Sequence, residues 1–283
     1  MPRIALPNKG RLPEDVRNLL DDAGLPIRGK SERCLTASVG GEFEAIFVRA
    51  QDIPEFVADG AADLGITGAD LVAESGCALN ELLDLEFGRC RLVVAVRDDS
   101  GITSLAELAG RPRVASSFPR LTRDFFANRG IAVEVVPVSG AAEIAPHLGI
   151  ADIVVDLTST GSTLKVNGLR EIAPVMSSSA RLVGRCDSAG QPWAQELTIA
   201  LSSVLRARGQ RYVMANVPKD RLAEVCERLP GLNGPTMSEV FGGGRFLAMH
   251  AVVAAPAIYK TVAALKALGC EGILVTRIER LMP

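Results

Sequence analysis

The sequence predicts an α/β protein with two lobes that face each other across a cleft, followed by a separate C-terminal unit. Three observations lead to this fold class. Short apolar runs alternate with amphipathic segments through most of the chain, as in successive βα units. One strand-and-turn pattern occurs twice, at 60–67 and at 149–156. The last segment, 208–283, has strand and helix signals in the order βαββαβ.

The first lobe is predicted to begin with a strand at 3–6, a turn, and a helix that starts near Pro13. Lys9 and Arg11 lie in that turn. They therefore project from the carboxyl edge of a strand, where open α/β sheets bind ligands. A solvated turn would also explain both cations, but their position makes them candidates for contacts to phosphate oxygens.

The next two strand ends carry further candidates. Arg49 follows a strand at 45–48, and a capping-box pattern at 52–55 predicts a helix from there to about residue 59. A guanidinium at such a junction could bind a phosphate or stack on a purine. Asp70 follows a strand at 64–66. It could be a plain N-cap, but we favour a site residue because three such turns converge on one edge.

An internal repeat indicates that the two lobes are similarly built. The sequence GAADLGIT at 60–67 parallels GIADIVVD at 149–156. In each, a glycine ends a helix, Ala-Asp leads into a strand, and a polar turn follows. This pattern fits the periplasmic-binding-protein architecture, in which two α/β lobes enclose a cleft.

The second lobe is predicted to start with a strand at 92–96 and to contain a capping box at 104–107. Strands at 114–116 and 133–138 follow, and then a helix that carries Glu143. This glutamate could be an exposed acid of a first helical turn, favoured by the helix dipole. His147 is expected to be structural or exposed, with no catalytic role.

The stretch that organises the chain is a strand, a small polar loop and a helix. A buried strand at 153–155 of a predicted parallel sheet stops at Asp156, and a helix starts at Leu164. Between them the loop combines hydroxyl side chains with a glycine: Thr158, Ser159, Thr160, Gly161, Ser162 and Thr163. An ordinary βα turn could have this composition, but backbone N–H groups and a helix dipole here would bind an anion. Asp156 beside it suits ribose hydroxyls or a magnesium ion.

The chain then returns to the first lobe and leaves it for the C-terminal unit. The serines at 177–179 and the apolar run at 180–183 predict one returning strand, and a helix at 193–207 precedes the boundary. The βαββαβ order that follows is the ferredoxin-like arrangement. Its glycine run at 242–244 joins two predicted strands, so we interpret it as a hairpin and not as a phosphate loop.

Composition argues against nucleic-acid-binding, disulfide-rich and membrane-spanning proteins. The net charge of -2 gives no indication of a nucleic-acid surface. Six cysteines without a Cys-x-x-Cys pair favour reduced thiols. No apolar run reaches the roughly 20 residues of a membrane span, and the first residues lack a signal-peptide core. We therefore expect a soluble cytoplasmic protein.

Four segments carry a resemblance to a known family. They are PNKGRL at 7–12, GITGAD at 65–70, the signature that runs from Glu143 to Leu164, and Pro235-Thr236. In this order, across essentially the whole chain, they resemble ATP phosphoribosyltransferase, the first enzyme of histidine biosynthesis. The resemblance implies that N1 of ATP attacks C1 of phosphoribosyl pyrophosphate, with Mg²⁺ as cofactor.

The resemblance also implies residue roles. Lys9, Arg11 and Arg49 would stabilise the charge of the leaving pyrophosphate. Glu143 would contact substrate or steady the loop, and Asp70 would bind substrate. The loop at 158–163 would hold the 5-phosphate, and Asp156 the ribose hydroxyls or the metal.

The C-terminal unit resembles the regulatory domain of the long-form members, which bind histidine. The implied effector residues are Asn216, Thr236, Met237 and Gly272. The domain prediction is one lobe from 1–89 with 181–207, a second lobe from 90–180, and a regulatory domain from 208–283. A homo-oligomer between dimer and hexamer is expected, without a separate regulatory subunit.

Two other functions remain open at the level of sequence. A non-catalytic two-lobed solute-binding protein with an appended sensor would bind its ligand tightly and release no pyrophosphate. A phosphoribosyltransferase for a different base would release pyrophosphate with another acceptor. The lack of a Ser/His/Asp or Cys/His constellation agrees with a transfer that needs no covalent nucleophile.

Overall fold

The computed structural model describes residues 1–29, 34–242 and 244–282. The chain divides into two compact units, Met1–Thr198 and Ile199–Pro283. The first unit contains two β-sheets with their helices, and the second contains one sheet. None of the helices formed by the described residues combines the length and the apolar character that a bilayer span requires.

The first sheet has seven strands in the order β2-β3-β4-β1-β5-β12-β6. Their bounds are β1 (Arg3–Pro7), β2 (Ile27–Arg28), β3 (Thr36–Val39), β4 (Phe43–Val48), β5 (Leu64–Gly68), β6 (Asn80–Asp84) and β12 (Ala180–Gly184). The helices of this lobe are α1 (Pro13–Asp22), α2 (Ile53–Ala58) and α3 (Ala69–Ser75). β1 is central and parallel to both β4 and β5, and after the exposed Arg3 it is apolar because both of its faces are buried.

The second sheet has five strands in the order β11-β7-β10-β8-β9. Their bounds are β7 (Cys90–Arg97), β8 (Arg113–Ser116), β9 (Glu134–Pro137), β10 (Ile153–Thr158) and β11 (Leu169–Ser178). Two helices belong to this lobe, α4 (Pro119–Ala127) and α5 (Ser162–Val166). Phe126 of α4 is fully buried against the strands and forms an edge-to-face pair with Phe125. The aromatic pair closes one face of the sheet.

The internal repeat of the sequence corresponds to a repeated structural device. Asp63 accepts a hydrogen bond from the backbone N–H of Arg3 at 2.7 Å, and Asp152 accepts one from the N–H of Arg113 at 2.8 Å. In both lobes the aspartate thereby joins the first residues of two adjacent parallel strands. Each arginine also pairs with a glutamate on its other neighbouring strand: Glu44 and Glu134. The two lobes are therefore built on one plan.

The chain crosses from the second sheet back to the first at β12 and continues through two helices, α6 (Cys186–Ala189) and α7 (Pro192–Ala207). The second unit then has the predicted βαββαβ order. Its elements are β13 (Gln210–Pro218), α8 (Leu222–Arg228), β14 (Thr236–Glu239), β15 (Phe246–Ala254), α9 (Ile258–Ala267) and β16 (Glu271–Arg277). The antiparallel order β14-β15-β13-β16 is that of a ferredoxin-like sheet. Residues 242–244 join β14 and β15, as expected for a hairpin, although Gly243 lies outside the described residues.

Several local predictions were wrong. The helix expected to carry Glu143 is only the 3₁₀ turn Ala142–Ile144, because Pro146 has no N–H to continue a helix. The capping box at 52–55 does not form, since a 3₁₀ turn at Ala50–Asp52 leads directly into α2 and Asp52 makes no capping bond. The capping box predicted at 104–107 gives a single 3₁₀ turn, in which the Glu107 carboxylate accepts the N–H of Thr103.

The strand before the polar loop also differs from its prediction. β10 does not stop at Asp156 but runs to Thr158, and its sheet is mixed: β10 is parallel to β8 and antiparallel to β7. The helix after the loop begins at Ser162, before the predicted Leu164. Most of strand β11 was not predicted, because Pro174 and two β-bulges interrupt its pattern before the serines at its end.

Candidate active site

Two of the predicted cations follow adjacent parallel strands. Pro7 of β1 pairs with Val48 of β4, and the backbone N–H of Asn8 donates to the Val48 carbonyl at 2.9 Å. Lys9 and Arg49 come one or two residues later and are both exposed. Lys9 lines a cavity of about 510 Å³. The sheet therefore presents both charges from the same edge, as the sequence predicted.

Arg11 and the polar loop line one cavity. This cavity measures about 280 Å³. Its lining consists of Arg11, Leu157, Thr158, Ser159, Thr160, Ser162 and Thr163. The arginine comes from the turn after β1, and the hydroxyl residues come from the loop after β10. A guanidinium facing a group of hydroxyl donors is a suitable site for a phosphate group.

The loop is folded by its own hydroxyl groups. Thr158 Oγ1 accepts the N–H of Gly161 at 2.8 Å, and the hydroxyls of Thr160 and Ser162 are 2.9 Å apart. Gly161 has a φ of 78°, and a Cβ built on it would meet no atom within 4 Å. The glycine thus supplies a left-handed turn and leaves the cradle open. With only five residues, α5 is a weak helix dipole, so the predicted anion binding depends mainly on the hydroxyl and N–H groups.

Two carboxylates lie beside this loop. Asp156 is half-buried on β10, and its Oδ1 accepts the N–H of Leu157 at 2.8 Å. Burial raises the pKa of Asp156, the backbone hydrogen bond partly opposes this, and the negative charge of Glu143 raises it further. The site therefore has an excess of negative charge that ribose hydroxyl donors or a cation would relieve.

The predicted magnesium site can be compared with the metal-binding side chains that the structure places near the loop. Among the described residues, no group of three or more His, Cys, Asp and Glu side chains could hold a metal ion. Asp156 and Glu143 are two hard oxygen donors near the phosphate cradle. Mg²⁺ commonly binds through one or two carboxylates together with substrate phosphates and water. The residues fit a magnesium ion brought in with a phosphorylated substrate.

Asp70 is not presented to the cleft as the sequence analysis expected. It is 4% exposed, and its carboxylate accepts the hydroxyl proton of Ser178, whose Oγ in turn accepts the Asp70 N–H at 3.0 Å. The alternative N-cap role is also wrong, because Gly68 is the N-cap of α3. In this structure Asp70 fastens the start of α3 to the end of β11.

The crossover between the two lobes is a feature that sequence reasoning missed. The Ala69 N–H donates to the Ser179 carbonyl at 3.0 Å, and Ser179 Oγ donates to Asp84 at 2.9 Å. Asp84 also pairs with Arg181. Three consecutive serines at 177–179 were the available signal, but they were interpreted only as part of a strand.

A second cavity of about 380 Å³ adjoins the crossover and contains Ser159 of the polar loop. Two of its three arginines are held by carboxylates, whereas the third, Arg89, is exposed and its Nε donates to the Glu86 carbonyl at 3.2 Å. Arg91 forms a two-point ion pair with Glu171, with N···O distances of 2.6 and 3.0 Å, and Arg181 is held by Asp84. Arg11 is the cation that lines the cavity of the loop itself, and Arg89 lines the adjoining cavity with Ser159.

The predicted effector residues are only partly brought together in the second unit. Asn216 and Gly272 are neighbours, since a Cβ on Gly272 would lie 3.2 Å from the Asn216 amide nitrogen. Thr236 is two strands away on β14 but shares the open sheet face with Asn216. Met237 pairs with Met249, which is buried under the helices, so Met237 lies on the opposite face.

Comparisons with known proteins settle the family. The sequence model described as "HisG: ATP phosphoribosyltransferase" matches residues 49–205, and "HisG, C-terminal domain" matches residues 207–280. An ATP phosphoribosyltransferase from Gemmatimonas aurantiaca is 63% identical, with 100% of both chains covered. The chain belongs to the ATP phosphoribosyltransferase family. It is accordingly a pentosyltransferase of histidine biosynthesis.

Further relatives support both the assignment and the fold. The ATP phosphoribosyltransferase of Natronomonas pharaonis is 48% identical over 99% of this chain and 100% of its own. A solved ATP phosphoribosyl transferase (HisG:HisZ) complex from Thermotoga maritima has a TM-score of 0.62 and 28% identity, covering 71% of this chain and 94% of that one. The GluR0 ligand-binding core from Nostoc punctiforme, at TM-score 0.50, 16% identity and 73% and 93% coverage, shares the fold alone. The periplasmic-binding-protein-like prediction is confirmed.

Proposed function

We propose that the cleft transfers the phosphoribosyl group of phosphoribosyl pyrophosphate to N1 of ATP, which gives phosphoribosyl-ATP and pyrophosphate. The observation that carries this proposal is the cavity shared by Arg11 and the loop from Thr158 to Thr163. Its hydroxyl and N–H donors suit a 5-phosphate. Asp156 on the adjoining strand is placed for the ribose hydroxyls.

The reaction needs alignment of two polyanions and stabilisation of a departing pyrophosphate. Such positioning can lower a barrier by roughly 7–11 kcal/mol in favourable cases. Lys9, Arg11 and Arg49 all follow β1 or β4 and offer positive charge from one edge of the sheet. Glu143, close enough to Asp156 to raise its pKa in addition to the effect of burial, belongs to the same charged group and would contact substrate or steady the loop.

We further propose Mg²⁺ as the cofactor, held by Asp156, with Glu143 nearby, and by the phosphates of the substrate. When bound, it would neutralise charge on the pyrophosphate leaving group. The side chains of the chain itself keep separate tasks. Arg11 orients the phosphorylated substrate, while the loop hydroxyls fix its 5-phosphate and exclude water from that end.

Regulation by histidine is proposed for the second unit. The Thermotoga maritima chain corresponds to 71% of this chain, and a distinct C-terminal family model covers residues 207–280 here. This supports regulation within one polypeptide, without a separate regulatory subunit. A homo-oligomer between dimer and hexamer remains part of the proposal. Histidine would bind near Asn216, Gly272 and Thr236. The cytoplasmic location expected from the sequence is part of the same proposal.

The test is an assay of pyrophosphate release from phosphoribosyl pyrophosphate with ATP and, separately, with other purine and pyrimidine acceptors. The proposal predicts Mg²⁺-dependent release with ATP. Release with a different base would indicate another phosphoribosyltransferase. Tight ligand binding without release would indicate a solute-binding protein with the same two-lobed fold.

A further inference from the structure

His147 follows Glu143 by four residues and contacts the segment that follows the phosphate loop. Its ring Nε2 is 2.7 Å from the backbone carbonyl oxygen of Asn167. A carbonyl oxygen only accepts, so the Nε2–H group donates this hydrogen bond. Asn167 is the C-cap of α5, and α5 begins at the phosphate loop. The imidazole therefore holds the far end of the helix whose near end forms the cradle.

The Asn167 cap transmits this contact to the helix. The Asn167 side-chain amide donates to the Thr163 carbonyl at 2.9 Å, and its backbone N–H donates to the same oxygen at 3.1 Å. A five-residue helix is only about 7.5 Å long. A shift at its C-terminal end therefore displaces the Thr163 side, and with it the loop, by a comparable amount.

The segment that carries His147 also carries Glu143, so the contact connects two parts of the site. Ala142, next to Glu143, is packed in one buried cluster with Leu164 of α5. The segment thus meets α5 twice, through an apolar contact near its start and through the His147 hydrogen bond near its end. The helix also packs against β10 and β11, so the His147 hydrogen bond adds a directional contact between the helix cap and the segment that carries Glu143.

We propose that His147 is a positioning residue for the phosphorylated substrate: its hydrogen bond to Asn167 fixes the tilt of α5 and thereby the spacing between the loop and the Glu143 segment. This inference rests on the proposed function only for the identity of the substrate. It assigns His147 no contact with the reacting atoms. The expected consequence is an effect on binding of the 5-phosphate group and not on the chemical step.

The test compares His147→Leu, which removes the donor, with His147→Gln, which keeps an N–H at similar reach. For His147→Leu we expect KM for phosphoribosyl pyrophosphate and Kd for ribose 5-phosphate to rise roughly threefold to tenfold, the usual effect of one neutral hydrogen bond. The kcat and the KM for ATP should stay within about twofold of wild type. His147→Gln should restore most of the affinity.

Leu148→Ala is the matched control, because Leu148 is the next residue and is 62% exposed. Unchanged ribose 5-phosphate affinity in His147→Leu would overturn the proposal. So would a variant in which kcat, both KM values and the melting temperature all change together, since this is the pattern of general structural damage. Because ribose 5-phosphate binding is measured without ATP, it decides this proposal even if the wild-type protein fails to use ATP.

Discussion

At the scale of single residues, the surroundings of a few side chains decide which charge each of them brings to the site. Asp156 is the clearest case, because burial and the nearby Glu143 both favour its protonated form. Arg11 is the opposite case: it is exposed and faces hydroxyl groups, so it keeps its charge available for a ligand. The sequence predicted both residues from their positions at strand ends.

Asp156→Asn should cost activity and increase stability. A carboxyl group whose folded-state pKa is raised makes its most favourable contribution when protonated, and that contribution is lost as pH rises through the folded pKa. At pH 8 the variant should therefore melt at a higher temperature than wild type, and the gap should narrow as pH falls toward the ordinary carboxyl range. Turnover at limiting phosphoribosyl pyrophosphate should drop at least about tenfold.

Scanning calorimetry between pH 4 and pH 8, with parallel turnover assays, measures both effects. Asp124→Asn is a suitable control because Asp124 is exposed on α4. A variant that melts at a lower temperature than wild type at pH 8 would contradict the electrostatic description of Asp156.

Arg11→Gln should weaken substrate binding without unfolding the protein. Losing one charge-assisted contact costs roughly 1.5–3 kcal/mol, so kcat/KM for phosphoribosyl pyrophosphate should fall by about tenfold to a hundredfold. Arg123→Gln removes an exposed positive charge from α4 and controls for net charge. Equal kcat/KM values for the two variants would remove Arg11 from the site.

At the scale of elements, the loop between β10 and α5 requires a small residue at its turn if it is to bind a phosphate. Gly161 has a left-handed backbone, and its missing Cβ would point into open space. A side chain there would strain the turn and would add bulk between Thr160 and Ser162, which line the cavity assigned to the phosphate. These two effects can be separated by comparison with another glycine.

Gly161→Val should abolish measurable phosphoribosyl pyrophosphate affinity in isothermal titration, while Gly149→Val should not. Gly149 has a φ of 68° and no atom within 4 Å of its built Cβ, so the two variants carry a similar backbone cost. Both should lose stability, by at least about 1 kcal/mol. Retained affinity in a folded Gly161→Val protein would show that the phosphate binds elsewhere.

Sequence reasoning worked best for elements with a clear period and clean ends. It placed β1, α1, α7 and the whole βαββαβ unit, because apolar spacing, Pro and Gly mark their limits. It missed most of β11, whose two bulges break the alternation, and it overestimated the helix at Glu143. Local rules do not reveal such interruptions, which are stabilised by neighbouring strands.

The site was predicted unevenly for a similar reason. Strand-end positions made Lys9, Arg11, Arg49 and the polar loop candidates, since topology brings the ends of parallel strands to one edge. The burial of Asp70 could not be predicted, because its partner Ser178 is 108 residues away in sequence. Which acid faces a cleft and which one fastens two elements is decided by such distant contacts.

At the scale of the whole molecule, the chain divides into two compact units. The candidate catalytic residues all precede Thr198, and the candidate effector residues all follow it. The effector candidates Asn216 and Thr236 share the open face of the second sheet, opposite the face covered by α8 and α9.

Asn216→Ala should leave uninhibited turnover unchanged and raise the histidine concentration needed for half inhibition. Coupling of about 1–3 kcal/mol between effector and substrate sites corresponds to a several-fold to hundredfold effect on affinity. Thr276→Ala, on an exposed position of β16, is the control. If histidine inhibited Asn216→Ala as strongly as wild type, the effector would have to bind outside the predicted set.

The most direct test of the central claim is the stoichiometry of a single turnover. Enzyme in excess is mixed with phosphoribosyl pyrophosphate, ATP and Mg²⁺, and pyrophosphate and the nucleotide adduct are both quantified, the adduct by mass spectrometry. We predict one pyrophosphate for each phosphoribosyl-ATP, with both products reduced in parallel in Arg11→Gln. Pyrophosphate released without the adduct, or no release while both substrates are bound, would contradict transfer to ATP in this cleft.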